Sequence, residues 1–256
     1  MHAPEPAPGV ADPRRFLLRR IHSLCGVLPI GVFLVLHLWT NLQAVRGREA
    51  FRHAVGEIQG IPALALIEVA AILDPLAFHA AYGLVLAAQS RFNVQRYGYT
   101  RNWLFLLQRA TGLVAFAFLV VHLGQLRAAK ALGTVRWEAF YDRLALLLGS
   151  PGMFALYVVG LTATVFHFAN GLSTATQTWG LASSELARRR VAVLCAALGV
   201  ALWLVGVDTL LHFFYRCGGV LPWPGLDPDA GCRDADMLRA MVDVGGARLY
   251  RVGLNT

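Results

Sequence analysis

Charged residues are scarce in this sequence. They make up 15% of the 256 residues, and 57% of the residues are hydrophobic, whereas a soluble domain usually has about 25% charged residues. This shortage excludes an ordinary soluble domain and indicates a membrane protein. Five apolar segments exceed the roughly 20 residues that cross a bilayer as a helix. They lie near residues 22–42, 62–89, 103–127, 152–178 and 191–215.

These segments also lack the alternation of polar and apolar residues that is typical of barrel strands. Because backbone groups in lipid must pair within the protein, we expect each segment to be a helix. The sequence therefore predicts an all-α membrane protein with five transmembrane helices in one bundle. We expect the membrane domain to cover residues 14–216, after a disordered N-terminal segment (1–13) and before a C-terminal tail (217–256).

The formal net charge of +8 raises the question of a nucleic-acid partner. The arginines, however, lie in short clusters beside the apolar segments, as in membrane proteins, so membrane lipid is expected around the chain and no nucleic acid. The clusters before the first, third and fifth segments predict a cytoplasmic N-terminus and a tail on the opposite side. Cys217 and Cys232 lie in that tail, where an oxidising compartment permits a disulfide between them.

The most informative residues are histidines inside the apolar segments. Ionisable side chains are rare within membrane spans and usually functional there, and a neutral imidazole is a common ligand of haem iron. Forty-odd residues separate each histidine from the next, so each falls in a different segment. These histidines are His37, His79, His122, His167 and His212.

The depth of each histidine in the membrane predicts how they pair. With a rise of 1.5 Å per residue, His37 and His122 lie about 26 and 29 Å from the side that carries the N-terminus. His79 and His167, on helices that run the other way, lie about 16 and 20 Å from it. The pairs His37–His122 and His79–His167 suit two stacked haems with two histidine ligands each. By depth alone, His212 competes with His37 and His122 as an outer ligand.

Glycines accompany the inner pair. Gly83 follows His79 by four positions, and Gly171 follows His167 by four. Residues four apart share a helix face, so both glycines leave room beside a histidine for a flat macrocycle.

Other uses of buried histidines remain open. A histidine can hydrogen-bond between membrane helices, and the protein would then be a haem-free scaffold or transporter. A di-iron or zinc enzyme needs clustered ligands such as H-E-x-x-H or C-x-x-C, which the sequence lacks. Two imidazoles on one iron leave no open coordination position, so haems held in this way predict electron transfer.

Multi-residue motifs surround these histidines in four of the segments. They comprise residues 19–23, 26–29, His37 and Asn41 in the first; Glu68, Pro75, 79–80 and 82–83 in the second; 101–103, 108–112 and His122 in the third; and His167 with 170–171 in the fourth. Over about residues 14–215 the chain resembles the single-chain di-haem cytochrome b anchors, of the b558 type, of succinate:menaquinone oxidoreductases and fumarate reductases.

The resemblance implies a membrane anchor with two b haems, the inner one on His79 and His167 and the outer one on His37 and His122. It implies a flavoprotein partner with FAD and an iron–sulfur partner, both on the cytoplasmic side of a bacterial inner membrane. Electrons from succinate would pass through the haems to menaquinone. Fumarate reductases, which run in reverse, share this anchor. Some carry a glutamate where this chain has Val165, and its absence favours succinate oxidation.

Two further groups of residues are candidates for the haem surroundings and the quinone site. Haem propionates need cationic or hydrogen-bonding partners, and quinone reduction needs hydrogen bonds and a proton source. Asp208 and His212 share a helix face, although they could also be an interfacial pair that meets water, and Trp103 could be an interface anchor. The propionate candidates are His22, Ser23, Trp103, Gln108 and Arg109, and the quinone candidates are Glu68, Asp208 and His212.

Overall fold

The computed structural model of the chain describes residues 12–91, 94–215 and 221. These residues form helices and turns, with no strand among them, which confirms the all-α prediction. Within the described residues, five helical stretches are long and apolar enough to cross a membrane, as predicted. We call them spans 1 to 5, and they are Pro13–Arg46, Leu64–Ala88, Thr100–Ala131, Pro151–Thr178 and Glu185–Tyr215.

The α-helices of the described residues include short ones between the spans. In chain order they are α1 (Pro13–Val27), α2 (Pro29–Leu42), α3 (Arg48–Gln59), α4 (Leu64–Ile67), α5 (Asp74–Ala88), α6 (Thr100–Leu123), α7 (Ala129–Ala131), α8 (Phe140–Leu148), α9 (Pro151–Thr178) and α10 (Glu185–Tyr215). Span 2 is α4 and α5 joined by a π-helical segment, Glu68–Leu73, and span 3 is α6 and α7 joined by another, Gly124–Ala128.

Local sequence explains where span 1 begins. Pro13 occupies the first turn of α1, where a missing backbone N–H costs little. The Asp12 side chain accepts a hydrogen bond from the backbone N–H of Arg14 at 2.9 Å and so caps the helix. Helix α1 therefore begins at Pro13, beside the first arginines, whereas the apolar segment that predicted span 1 begins near residue 22.

Helices α3 and α8 lie outside the five spans, and the sequence analysis did not predict them. Phe51 and Val55 on α3 and Tyr141 on α8 are buried. The rings of Phe51 and Tyr141 meet with their centroids 5.9 Å apart. An ion pair joins the two helices, with Arg48 Nη2 2.6 Å from Asp142 Oδ1.

The chain forms two compact units. Spans 1, 3, 4 and 5 are divided between them, whereas span 2 belongs to the first unit apart from its first residue, Leu64. The first unit comprises Met1–Phe33, Ala65–Leu113 and Phe166–Leu198, and the second comprises Leu34–Leu64, Val114–Val165 and Gly199–Thr256. Of the predicted N-terminal segment only Asp12 and Pro13 are described, and of the predicted tail only Leu221. Cys217 and Cys232 lie outside the described residues.

Candidate functional site

The four histidines predicted to bind haem form two pairs, one in each unit. In the first unit the rings of His79 and His167 have centroids 6.0 Å apart and stand nearly perpendicular, at 86°. In the second unit the rings of His37 and His122 are 5.7 Å apart, at 85°. Each pair therefore brings together side chains from two different spans.

The spacing within each pair fits one metal ion between two imidazoles. Metal–imidazole bonds are about 2 Å long, so nitrogens on opposite sides of one ion lie about 4 Å apart. The ring centroids must then lie somewhat further apart, in agreement with the 6.0 and 5.7 Å measured. The side chains present in each unit therefore fit a haem iron, which the two histidines of that unit would hold.

Backbone carbonyls orient the inner pair. His79 Nδ1 lies 2.9 Å from the carbonyl oxygen of His22, and His167 Nδ1 lies 2.9 Å from that of Gln108. A neutral imidazole that donates from Nδ1 carries its lone pair on Nε2. Both rings therefore keep Nε2 available for a metal, which is how the outer hydrogen bonds of metal-binding histidines usually work.

Two glycines let these rings lie against neighbouring helices. A Cβ at Gly26 would lie 2.6 Å from the ring of His79, and one at Gly112 would lie 2.8 Å from the ring of His167. Side-chain carbons essentially never approach this closely. Any larger residue at either position would have to displace a predicted ligand.

His22, a predicted propionate residue, lies directly beside the inner pair. Its ring stacks on that of His79 with the centroids 4.1 Å apart and the planes 5° from parallel. A Cβ at Gly83 would lie 3.2 Å from the His22 ring, so part of the space beside Gly83 is occupied by His22. The Nδ1 atom of His22 is buried and has no hydrogen-bond partner among the described residues.

Gln108 and Arg109 lie on the same helix but make different contacts. Gln108 Nε2 donates to the carbonyl oxygen of His167 at 3.0 Å, and its Oε1 accepts from Asn170 Nδ2 at 2.6 Å. Arg109 Nε donates to Ser90 Oγ at 2.9 Å. Gln108 therefore adjoins an inner ligand, whereas the described contacts of Arg109 go to Ser90 and to its own helix.

The other predicted residues belong to several different helices. Ser23 is half-buried on α1. Trp103 is 49% exposed, which fits the alternative role of an interface anchor. Glu68, at the start of the π-helical segment of span 2, belongs to the first unit, whereas Asp208 and His212 belong to the second.

Asp208 and His212 form part of a buried polar group in the second unit. They are 2% and 1% exposed. Tyr141 Oη lies 3.0 Å from His212 Nε2, and Asp208 Oδ1 accepts from the backbone N–H of Leu221 at 3.1 Å. The estimated depth of His212 in the membrane made it an alternative to His37 and His122 as an outer ligand. In the structure its Nε2 faces Tyr141, whereas the ring of His37 faces His122.

Three polar residues of the second unit were not predicted from the sequence, namely Gln125, Tyr141 and Tyr157. Tyr141 lies on α8, a nine-residue helix that is too short to be recognised as a long apolar run. Tyr157 hydrogen-bonds Gln125 and contacts His122, and it lies ten residues before His167 on span 4, about 15 Å along the helix. A polar aromatic residue near the outer end of an apolar span is the signal that could have identified it.

The chain is similar to known membrane proteins of respiration. Residues 89–207 match the family described as succinate dehydrogenase/fumarate reductase transmembrane subunit. The chain is also 39% identical over 200 residues to the succinate dehydrogenase cytochrome b558 subunit of Bacillus subtilis. That alignment covers 78% of this chain and 98% of the relative.

Proposed function

The chain belongs to the family of succinate dehydrogenase/fumarate reductase transmembrane subunits, and we propose that it is the cytochrome b anchor of a succinate dehydrogenase. The observation that carries this proposal is the two facing histidine pairs, with ring centroids 6.0 and 5.7 Å apart. A b haem bound at each pair supplies the reversible one-electron chemistry of its iron. The name of the Bacillus subtilis relative, a cytochrome b558 subunit, supports haem b.

The chain's own residues hold the two groups and keep other ligands away. His79 and His167 would bind the inner iron, and His37 and His122 the outer iron. Two imidazoles complete the coordination of a haem iron, so oxygen and substrate have no position to bind. The buried Nδ1 of His22, which lacks a partner among the described residues, supports a role in binding an anionic propionate.

We propose that the catalytic partners dock on the cytoplasmic face of a bacterial inner membrane. The arginine-rich start of span 1 supports a cytoplasmic N-terminus. The succinate site would lie on a flavoprotein with FAD, joined to the anchor by an iron–sulfur subunit. Val165, 3% exposed and two residues before His167, offers no proton-carrying group at that point, which supports succinate oxidation over fumarate reduction.

We propose that menaquinone is reduced near Asp208 and His212, with Glu68 as a further candidate. Asp208 and His212 are four residues apart on α10 and buried together, so a carboxylate and an imidazole are available for proton transfer. A quinone carbonyl bound there would replace the Tyr141 hydroxyl at His212 Nε2.

A reduced-minus-oxidised spectrum of the purified complex tests the haem proposal. We expect a b-type α band that is diminished in His79→Ala and in His122→Ala. His53→Ala is the matched control, because the His53 side chain is 77% exposed on α3. A haem-free scaffold that uses its histidines as helix contacts would show no such band, and that result would remove the proposal.

Assays of the complex test its partners and the quinone site. We expect a flavoprotein and an iron–sulfur protein to co-purify with the chain, which distinguishes succinate dehydrogenase from other quinone-linked dehydrogenases. Quinone-dependent succinate oxidation should fall in Glu68→Gln and in Asp208→Asn, with Glu57→Gln as the exposed carboxylate control. Unchanged rates in both variants would remove the proposed quinone site.

A further inference from the structure

Tyr157 places a buried hydroxyl between the outer pair and a second polar side chain. It is 5% exposed, and its Oη lies 2.6 Å from Gln125 Oε1 and 3.4 Å from His122 Nδ1. We propose that Tyr157 is a positioning residue for the outer haem ligand, accepting a hydrogen bond from His122 Nδ1–H while Gln125 holds the hydroxyl in place. This inference rests on the proposed function, since it takes His122 to be an iron ligand.

The directions of these hydrogen bonds follow from Gln125. Its Oε1 atom can only accept, so the Tyr157 hydroxyl proton points to it. The orientation of the amide is supported on its other side, where Gln125 Nε2 faces Met153 Sδ at 4.0 Å, a weak acceptor. The Tyr157 oxygen therefore offers a lone pair to His122 Nδ1, which must carry the proton. A neutral ring with Nδ1 protonated leaves Nε2 unprotonated for the iron.

Aromatic packing completes the support of the His122 ring. Phe118 stacks on it with the centroids 5.5 Å apart and the planes at 28°. Phe118 also meets the Tyr157 ring edge-on, at 5.1 Å and 85°. The ring of His122 is therefore held against Phe118 by stacking and towards Tyr157 through Nδ1.

The backbone of span 3 changes from α-helical to π-helical at the turn that contains Gln125. The π-helical segment Gly124–Ala128 begins two residues after His122 and contains Gln125. A π-helix turns more widely than an α-helix, and such segments frequently occur at functional sites. The wider turn alters where Gln125 lies around the axis relative to His122, one turn from the ligand that it helps to orient.

This arrangement distinguishes the outer pair from the inner one. His79 and His167 face backbone carbonyls through Nδ1, and no side-chain substitution removes those acceptors. His122 faces a side-chain hydroxyl, so one substitution can alter its hydrogen bond. A hydrogen bond from Nδ1–H makes an imidazole more basic, which stabilises ferric over ferrous iron. Removing the Tyr157 hydroxyl should therefore raise the midpoint potential of the outer haem alone.

Redox titration of the haem absorbance in the purified complex tests this inference. The component lost in His122→Ala identifies the outer haem. In Tyr157→Phe we expect both haems to remain, with the outer potential raised and the inner one unchanged. Loss of such a partner typically costs at least tenfold in metal affinity, and a tenfold change in the ratio of ferric to ferrous affinity corresponds to about 59 mV for a one-electron couple. Tyr215→Phe is the matched control, because that side chain is 62% exposed in the same unit.

Each outcome bears on a different statement. Two haems with unchanged potentials in Tyr157→Phe would overturn the inference and leave the proposed function intact. An equal shift in Tyr215→Phe would overturn it as well. If Tyr157→Phe loses the outer haem, the deciding variant is Gln125→Leu, which keeps the tyrosine ring. A raised potential of the outer haem in Gln125→Leu supports the inference, and an unchanged potential overturns it. Absence of haem from the unaltered complex would instead reject the proposed function.

Discussion

Replacing Gly112 by alanine tests how closely span 3 must approach a ligand of the inner haem. A Cβ at this position would lie 2.8 Å from His167 Cε1, whereas ordinary contacts begin at 3.4 Å. The ring must therefore move by about 0.6 Å, more than the roughly 0.5 Å within which a metal-binding group has to be held. It cannot move freely, because its Nδ1 is held by the carbonyl oxygen of Gln108 at 2.9 Å.

We expect Gly112→Ala to lose the inner haem and keep the outer one, at a strain cost of about 1–3 kcal/mol. The measurement is the ratio of b haem to protein in the purified complex, which should fall to about half. Gly124→Ala is the matched control on the same span, because a Cβ there meets nothing within 4 Å. Gly112 lies inside α6 and Gly124 begins the π-helical segment of the same span, so the difference in inner haem content between the two variants isolates the contact with His167.

Two results would refute this reasoning. If Gly112→Ala keeps the full haem content at unchanged potentials, the close contact does not constrain His167. If Gly124→Ala loses as much haem as Gly112→Ala, the loss comes from the folding of span 3 and not from the displaced ring.

Two further predictions concern the second unit. Gly160→Ala drives a Cβ into the ring of Phe118, which stacks on an outer ligand, so we expect it to lose the outer haem by the same haem-to-protein ratio; full haem content would contradict this. Asp142→Asn removes the ion pair with Arg48 between α3 and α8, and because Asp142 is partly exposed we expect a loss of about 1–2 kcal/mol in the free energy of unfolding. Thermal denaturation of the complex measures this loss. Arg52→Gln, which breaks a more exposed pair, should cost less than about 1 kcal/mol, and equal losses would count against a special role for the pair between Arg48 and Asp142.

The spans could be predicted because the information that determines them is local. A run of about 20 apolar residues has few alternatives in lipid, whatever surrounds it. Helices α3 and α8 could not be found in this way. They have only 12 and 9 residues, too few to cross a bilayer. Their apolar residues are explained by contacts such as that between Phe51 and Phe213, which join parts of the chain far apart in sequence.

The histidine pairs show how far sequence reasoning about the site extends. The rise per residue predicted that His37 would lie level with His122, and His79 with His167, and the structure brings the rings of each pair together. The same arithmetic left His212 as a competitor. The contact of His212 with Tyr141 depends on α8, a helix that the apolar runs of the sequence do not predict.

The sequence by itself therefore determined the number of spans and the depth of each histidine, because both depend only on apolar length and helical rise. The tertiary structure decided what each ring touches. Rotation about the helix axis and the approach of another span determine whether Nδ1 meets a carbonyl, as in His79 and His167, or a hydroxyl, as in His122. Those contacts join residues 35 to 59 positions apart, and they form only once the spans have packed.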